Sequence, residues 1–197
     1  PTEKIEVDSP GETLQLHFIL ENGAPSYRVS YGAKDVLSRS ALGLKLKEVE
    51  LSEGFRVSHH EIRAIDRSWT QPWGEVKKVR DTHSELRVEL VGSKDPERKL
   101  NLVFRLFDDG LGFRYEVPEQ LALGSVEVID ELSEFALAGD HDCWWTGAYY
   151  WNRYEYLPTK SMISEIDTVH TPLTMASEDG LYLSIHEAAL TDFASMT

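Results

Sequence analysis

The chain has 197 residues, 41% of them hydrophobic and 10% aromatic, a composition typical of a globular protein and not of a disordered one. Its 20 Lys and Arg against 34 Asp and Glu give a formal net charge of −14, which disfavours nucleic acid and anionic membranes as partners. Neutral sugars and cations such as Ca²⁺ remain compatible with this charge. A single cysteine, Cys143, excludes an intrachain disulfide, and no apolar run approaches the ~18 residues of a membrane-spanning helix.

The first half of the chain alternates apolar and polar residues, which predicts β-strands with one buried face. The first stripe runs from Leu14 to Leu20 and ends at Asn22-Gly23, a dipeptide that favours a hairpin turn. Residues 66–80 are the least strand-like part, because Pro72 interrupts them and no alternation is visible. Further stripes are formed by Tyr27, Val29 and Tyr31, by Leu42, Leu44 and Leu46, and by Leu86, Val88 and Leu90.

Two acidic turns mark the clearest hairpins. Asp108-Asp109-Gly110 separates the apolar stripe of Lys99–Phe107 from a second stripe that ends at Val117. Glu178-Asp179-Gly180 separates Leu173 and Met175 from the stripe of Leu181, Leu183 and Ile185. No stretch has a long helical period with caps, so the pattern predicts an all-β, antiparallel sandwich or barrel formed by residues 1–197 as one domain.

An aromatic segment follows Asp140-His141-Asp142 and includes Trp144, Trp145 and Tyr154. Aromatic faces stack on the C–H faces of sugar rings, so these three residues are candidate substrate-binding residues. The alternative is a surface loop held to the core by its aromatic side chains. Within the segment, Asp140 and Asp142 are equally explained as turn-forming residues.

Glu187 is the most informative single residue. The stripe of Leu181, Leu183 and Ile185 continues by period two onto it, so its carboxylate is predicted to point where the leucines point. Burying a carboxylate without a partner costs on the order of several kcal/mol, because the charged group loses its hydration. Such a residue therefore requires a cation, a hydrogen-bond donor or an opening to solvent. The alternative is that the strand ends at His186 and leaves Glu187 in a solvated loop.

Two other residue types are given no chemical role. His59 and His60 are adjacent on a predicted strand and point to opposite faces, so the run His59-His60-Glu61 does not predict a metal site. Cys143 lies between Asp142 and Trp144, which do not favour a thiolate, and it is predicted to be unreactive.

Four ordered blocks of the sequence resemble the amino-terminal domain of glycoside hydrolase family 97. They are Trp73-Gly74-Glu75-Val76, the segment 98–115, the segment 138–145 with Tyr154-Glu155-Tyr156, and the segments 171–175 and 179–190. Together they cover nearly the whole chain.

This resemblance implies a β-super-sandwich of the galactose-mutarotase-like type, packed on a catalytic (β/α)₈ barrel in a calcium-dependent, periplasmic enzyme that hydrolyses α-glucosidic or α-galactosidic bonds. The substrate is then an α-linked oligosaccharide or a galactoside. The resemblance also implies that Glu187 is a Ca²⁺ ligand and that the catalytic carboxylates belong to the barrel.

The sequence stops at Thr197, so we expect a truncated sandwich that lacks the barrel and is inactive alone. Since Ca²⁺ takes about six to eight oxygen ligands, we expect one carboxylate to bind it weakly or not at all without the remaining ligands. The alternatives are a stand-alone carbohydrate-binding module and a purely structural sandwich domain.

Overall fold

The computed structural model describes residues 2–120, 123–124, 126–149, 155–191 and 193–197. Within these ranges the chain forms fifteen β-strands and one short 3₁₀ helix. Contacts between Cα atoms separate two compact units, residues 1–138 and 139–197. The assignment of 1–197 to one domain stays a prediction.

The first sheet of the first unit is an antiparallel meander in the order β1-β2-β3-β4. A two-residue turn at Asn22-Gly23 joins β2 to β3, with φ of 53° and 86°, so the predicted hairpin is confirmed. The strands are β1 (Thr2–Asp8), β2 (Leu14–Glu21), β3 (Ala24–Tyr31) and β4 (Lys34–Ala41).

A second antiparallel sheet, in the order β10-β9-β8-β7, faces the first. The predicted hairpin at Asp108-Asp109-Gly110 is confirmed, because Phe107 pairs with Gly110 across a two-residue loop. Its strands are β7 (Phe55–Thr70), β8 (Lys78–Gly92), β9 (Lys99–Phe107) and β10 (Gly110–Glu116). A small sheet in the order β11-β5-β6 completes the unit, from β5 (Leu44–Leu46), β6 (Glu50–Leu51) and β11 (Val128–Glu131).

The core of the first unit lies between the two four-stranded sheets and is built by the predicted stripes. Phe104 is fully buried at its centre, with ring centroids 6.3 Å from Phe18, 6.1 Å from Tyr27 and 5.8 Å from Phe113. Such tilted aromatic pairs add to the free energy gained by burying apolar area. The stripes of β2, β8 and β9 are therefore the inward faces of their strands.

The half-buried Tyr115 packs against this core, and hydrogen bonds satisfy its hydroxyl. The Tyr115 hydroxyl accepts a hydrogen bond from the Gly43 N–H at 2.9 Å and lies 2.8 Å from the Ser133 hydroxyl. Burial raises the pKa of Tyr115 to about 12, so the phenol stays protonated. The hydrogen bonds connect β10 to chain segments far away in sequence, which no local pattern predicts.

The interpretation of residues 66–80 as the least strand-like part is wrong for most of that segment. β7 continues to Thr70 and β8 begins at Lys78, so only 71–77 form a loop. The two strands run beyond the end of β9, whose pairing with β8 stops at Ser84. Nearly all of this ribbon is exposed or half-exposed, and a strand without one buried face does not select alternating apolar residues.

The second unit carries the antiparallel sheet β13-β12-β14-β15. The acidic turn Glu178-Asp179-Gly180 joins β14 to β15, with Gly180 at φ +85°, as the sequence predicts. The elements are β12 (Asp142–Trp145), β13 (Thr159–Met162), a 3₁₀ helix (Ile163–Glu165), β14 (Leu173–Ala176) and β15 (Tyr182–Ile185). The predicted all-β, antiparallel fold class is thus confirmed. Among the described residues, no helix has the length and apolar character needed to cross a membrane.

The central position of Phe104 predicts a large effect of truncation. Phe104→Ala should lower the free energy of unfolding by about 3–5 kcal/mol, because it removes a fully buried ring and leaves a cavity. Chemical denaturation of the 197-residue chain measures this difference. The same truncation at Phe193, which is 47% exposed, is the matched control and should change the stability by less than about 0.5 kcal/mol. Equal losses in the two variants would contradict the assignment of the core.

Candidate functional site

The candidate site lies where β14 begins and β15 ends. Leu173 pairs with Ile185 in the antiparallel ladder, so the residues before Leu173 run beside those after Ile185. This register brings Thr171 and Pro172 to one side of an open depression of about 490 Å³, whose other side is formed by His186, Glu187 and Leu190.

Glu187 is the acidic residue of this depression. β15 ends at Ile185, yet the alternation of burial continues: Leu183, Ile185 and Glu187 are half-buried, whereas Ser184 and His186 are exposed. The predicted direction of Glu187 therefore agrees with its burial, although it lies two residues past the strand. Its carboxylate makes no hydrogen bond or ion pair within the described part of the chain.

Ca²⁺ fits the chemistry of this carboxylate but not the number of ligands on hand. A carboxylate is the hard oxygen donor that Ca²⁺ prefers, and it can provide one or two of the roughly six to eight contacts that the ion takes. Among the residues that the structure describes, no group of three or more His, Cys, Asp or Glu side chains comes together as a metal site. Glu187 therefore suits the role of one ligand in a larger set, not of a complete site.

The two candidate sugar-binding tryptophans lie on opposite faces of β12, because they are neighbours in a strand. Trp144 is paired with Lys160 across the sheet, and the Lys160 Nζ lies 5.4 Å from the centroid of its ring. Lys160 also forms an ion pair of 2.8 Å with Asp142, two residues before Trp144 on the same face. This face of β12 is thus occupied by a cation–π contact and an ion pair.

Trp145 shares the buried face of the sheet with Cys143 and Met175, which are fully buried. Its indole N–H donates a hydrogen bond of 2.9 Å to the Ser161 hydroxyl. Leu183 pairs with Met175 on this face, and the alternation of β15 continues from it to Glu187. Of the two tryptophans, Trp145 is therefore the one on the same face as Glu187. Tyr154 lies outside the described residues.

Asp140 is a turn-forming residue in the structure, one of the two possibilities that the sequence leaves open. Its carboxylate accepts hydrogen bonds from the Ser164 hydroxyl at 2.7 Å and from the Ser164 N–H at 2.9 Å. These two bonds hold the pKa of the Asp140 carboxyl below its usual value, and the bond from the hydroxyl has the larger effect. They fix the 3₁₀ helix that follows β13.

Cys143 lies in β12 and the pair His59-His60 lies in β7, and the interpretation that neither carries chemistry stays a prediction. Burial raises the pKa of the Cys143 thiol, and its Sγ lies 3.2 Å from the Ser161 carbonyl oxygen, so the thiol stays protonated and enclosed. His59 and His60 are exposed neighbours on β7 and therefore point to opposite faces of the sheet.

Comparison with known proteins extends these observations. The family model of the glycosyl-hydrolase 97 N-terminal domain matches residues 7–197. A glycoside hydrolase family 97 enzyme from Pseudoalteromonas sp., solved in complex with panose, has 37% sequence identity and a TM-score of 0.92 over 97% of this chain. The same enzyme is also solved in complex with acarbose, with the same identity and TM-score. A probable retaining α-galactosidase from Streptomyces bingchenggensis is 32% identical over 139 residues, or 71% of this chain.

This chain matches only a small part of the length of each relative. This chain covers 29% of the Pseudoalteromonas enzyme and 21% of the Streptomyces protein, so it spans less than a third of either. A β-arabinopyranosidase structure with 22% identity and a TM-score of 0.78 shows a likeness of fold alone.

The family match and the greater length of the matched enzyme identify the class of this chain: it is an antiparallel β domain of a glycoside hydrolase. The chain belongs to glycoside hydrolase family 97, in which it is the amino-terminal domain.

The hydrogen bonds of Asp140 predict an acid-dependent loss of stability. A carboxyl whose pKa is lowered by folding stabilises the folded state above its unfolded pKa, near the usual 3.8, and this contribution is lost as the pH falls through the lowered folded pKa. Asp140→Asn should therefore lower the thermal midpoint at pH 7 and flatten its decline below about pH 4. Thermal melts of the 197-residue chain across this range measure both effects.

Asp130→Asn is the matched control, because the Asp130 carboxylate makes no hydrogen bond or ion pair with described residues. It should leave the thermal midpoint at pH 7 unchanged. A pH profile of Asp140→Asn that superimposes on that of the unaltered chain would contradict the structural role of Asp140.

Proposed function

We propose that this chain serves as the amino-terminal domain of a calcium-dependent, exo-acting α-glycoside hydrolase, where it packs on the catalytic barrel and supplies Glu187 as a calcium ligand. The observation that carries the proposal is the Glu187 carboxylate, half-buried at an open depression and without a partner in the described chain. A carboxylate that no other described residue pairs is available to a cation, and carboxylate oxygens are the ligands that Ca²⁺ prefers.

In this proposal the residues of the second unit have distinct roles. Glu187 holds one side of the ion, and Thr171 and Pro172 form the opposite wall of the depression. Trp145, on the same face of the sheet and fixed by Ser161, keeps the buried side of β12 in place. When bound, Ca²⁺ would supply a positive charge that orients a substrate hydroxyl and increases the acidity of nearby groups.

The carboxyl pair that cleaves the glycosidic bond is assigned to the barrel and not to this chain. The isolated chain is therefore proposed to be inactive. Its substrate class, in the longer protein, is an α-linked oligosaccharide or a galactoside. The names of the relatives support both, since one is a probable retaining α-galactosidase and the other is solved with panose and with acarbose.

The role of Glu187 is tested by Glu187→Gln in the full-length protein. The change keeps the size of the side chain and removes its charge, so the affinity for Ca²⁺ should fall by about 10- to 100-fold or more, which is the loss seen when even the supporting groups of a metal site are removed. Calcium titration by calorimetry and the calcium dependence of α-glycoside hydrolysis measure this loss.

Glu178→Gln is the matched control, because Glu178 lies on the exposed β14–β15 turn of the same sheet. It should leave both the calcium affinity and the activity unchanged. Calcium binding and activity that are the same in Glu187→Gln as in the unaltered protein would refute the assignment.

The alternative of a stand-alone carbohydrate-binding module has less support from the aromatic residues. Trp144 and Trp145 lie on opposite faces of β12 and are already engaged by Lys160 and Ser161, so they do not form one stacking platform. Isothermal titration of the 197-residue chain with panose or a galactoside should therefore give no binding heat. Clear saturable binding that is lost in Trp144→Ala would favour the binding module instead.

A further inference from the structure

The long hairpin of β7 and β8 ends in a ribbon of two strands that no third strand supports within the part of the chain that the structure describes. Residues 64–70 of β7 pair with 78–84 of β8, whereas β9 stops pairing with β8 at Ser84. A two-stranded ribbon is at best marginally stable in water, so one that extends beyond its sheet needs stabilising contacts of its own. The residues 64–84, with the loop 71–77 at their end, are called the ribbon arm below.

Side-chain contacts hold the ribbon arm in one conformation. Arg67 Nε lies 2.7 Å from Asp81 Oδ2, and Arg80 donates two hydrogen bonds of 2.9 and 2.8 Å to the Asp66 carboxylate. Gln71 closes the loop, because its N–H donates to the Lys77 carbonyl at 2.9 Å and its side-chain amide to the Val76 carbonyl at 3.0 Å. The loop is thus ordered before any partner binds, which reduces the conformational entropy lost on binding.

The end of the ribbon arm exposes large apolar side chains. Trp73 is 84% exposed, Val76 56% and Trp69 52%. Tryptophan is the side chain that most often anchors a protein interface, because it buries a large area at little cost in conformational entropy. These two tryptophans contribute nothing to the described core and lie at the part of the arm farthest from it in the ladder.

The charge of the ribbon arm differs from that of the chain. The arm contains four basic residues and three acidic ones, whereas the whole chain has a formal net charge of −14. The basic residues are Arg67, Lys77, Lys78 and Arg80, and the acidic ones are Asp66, Glu75 and Asp81. Both arginines are paired within the arm, but Lys77 and Lys78 have no carboxylate partner among the described residues. A partner that presents carboxylates around an apolar recess would match this surface.

We propose that the ribbon arm is a docking element that inserts Trp73 and Trp69 into an apolar recess, edged by acidic side chains, on the remaining part of the longer polypeptide. The inference rests on the proposed function, in which this domain belongs to a larger enzyme. The length of the relatives supports this occupant, since the chain covers only 29% of the Pseudoalteromonas enzyme and 71% of that enzyme lies outside the match. A sugar is the weaker candidate, because the Gln71 amide already binds the Val76 carbonyl.

Hydroxyl-radical footprinting of the full-length protein tests the inference. Trp69 and Trp73 should be oxidised several-fold more slowly than in a peptide of residues 66–80, at every protein concentration and without added sugar. Tyr31, which is 38% exposed at the β3–β4 turn, is the internal control and should react as an accessible residue. Oxidation of both tryptophans at the rate of the peptide would overturn the proposal.

Two variants of the full-length protein sharpen the test. In Trp73→Ala, and in the double change Lys77→Glu with Lys78→Glu, the oxidation rate of Trp69 should rise towards that of the peptide, whereas Tyr31→Ala should leave it unchanged. Protection that appears only at high protein concentration would overturn the proposal in favour of a second copy of the chain. Protection that appears only with added panose would overturn it in favour of a sugar site.

The outcome is separable from that of the proposed function. Footprinting reads the burial of Trp73 and does not depend on calcium or activity. Exposed tryptophans together with a calcium defect in Glu187→Gln would refute only the docking arm. Protected tryptophans together with normal calcium binding in that variant would refute only the role of Glu187.

Discussion

The antiparallel register of β12, β14 and β15 is the constraint on which the candidate site depends. Cys143 pairs with Met175, and Met175 pairs with Leu183, so one line of buried and half-buried residues crosses the sheet. A slip of one residue in β15 would expose this line and turn every following side chain to the opposite face. Burial of Cys143 and Met175 therefore determines, through Leu183 and Ile185, on which face of the sheet Glu187 lies.

The other contacts of the second unit protect this register. Asp140 fixes the 3₁₀ helix next to β13, and Lys160 connects β13 to Trp144 and Asp142 on the more exposed face of the sheet. None of these groups needs to touch a bound ion or sugar to matter, because Glu187 can act as the proposed calcium ligand only if its carboxylate is held in place. The aromatic residues of β12 are thus better explained as supports of the sheet than as a common sugar platform.

The sequence predicts the elements that have one buried face and fails for those that do not. The stripes of β2, β8, β9 and β15 and three short turns are visible because burial selects alternating apolar residues. The ribbon arm carries no such pattern, since its described side chains are exposed or half-buried, apart from His83, which is buried against Phe107. Trp144 and Trp145 are visible as residues, but their separation onto two faces follows only from a strand assignment. The partners of Tyr115 and Asp140 depend on long-range folding, which local patterns do not contain.

The most direct measurement of the central claim is a crystal structure of the full-length protein grown with Ca²⁺. It should show a Glu187 carboxylate oxygen about 2.3–2.6 Å from the ion, the usual distance for a Ca²⁺ ligand, with the other ligands contributed from outside residues 1–197. A calcium ion coordinated entirely by other residues, with Glu187 facing solvent, would contradict the account.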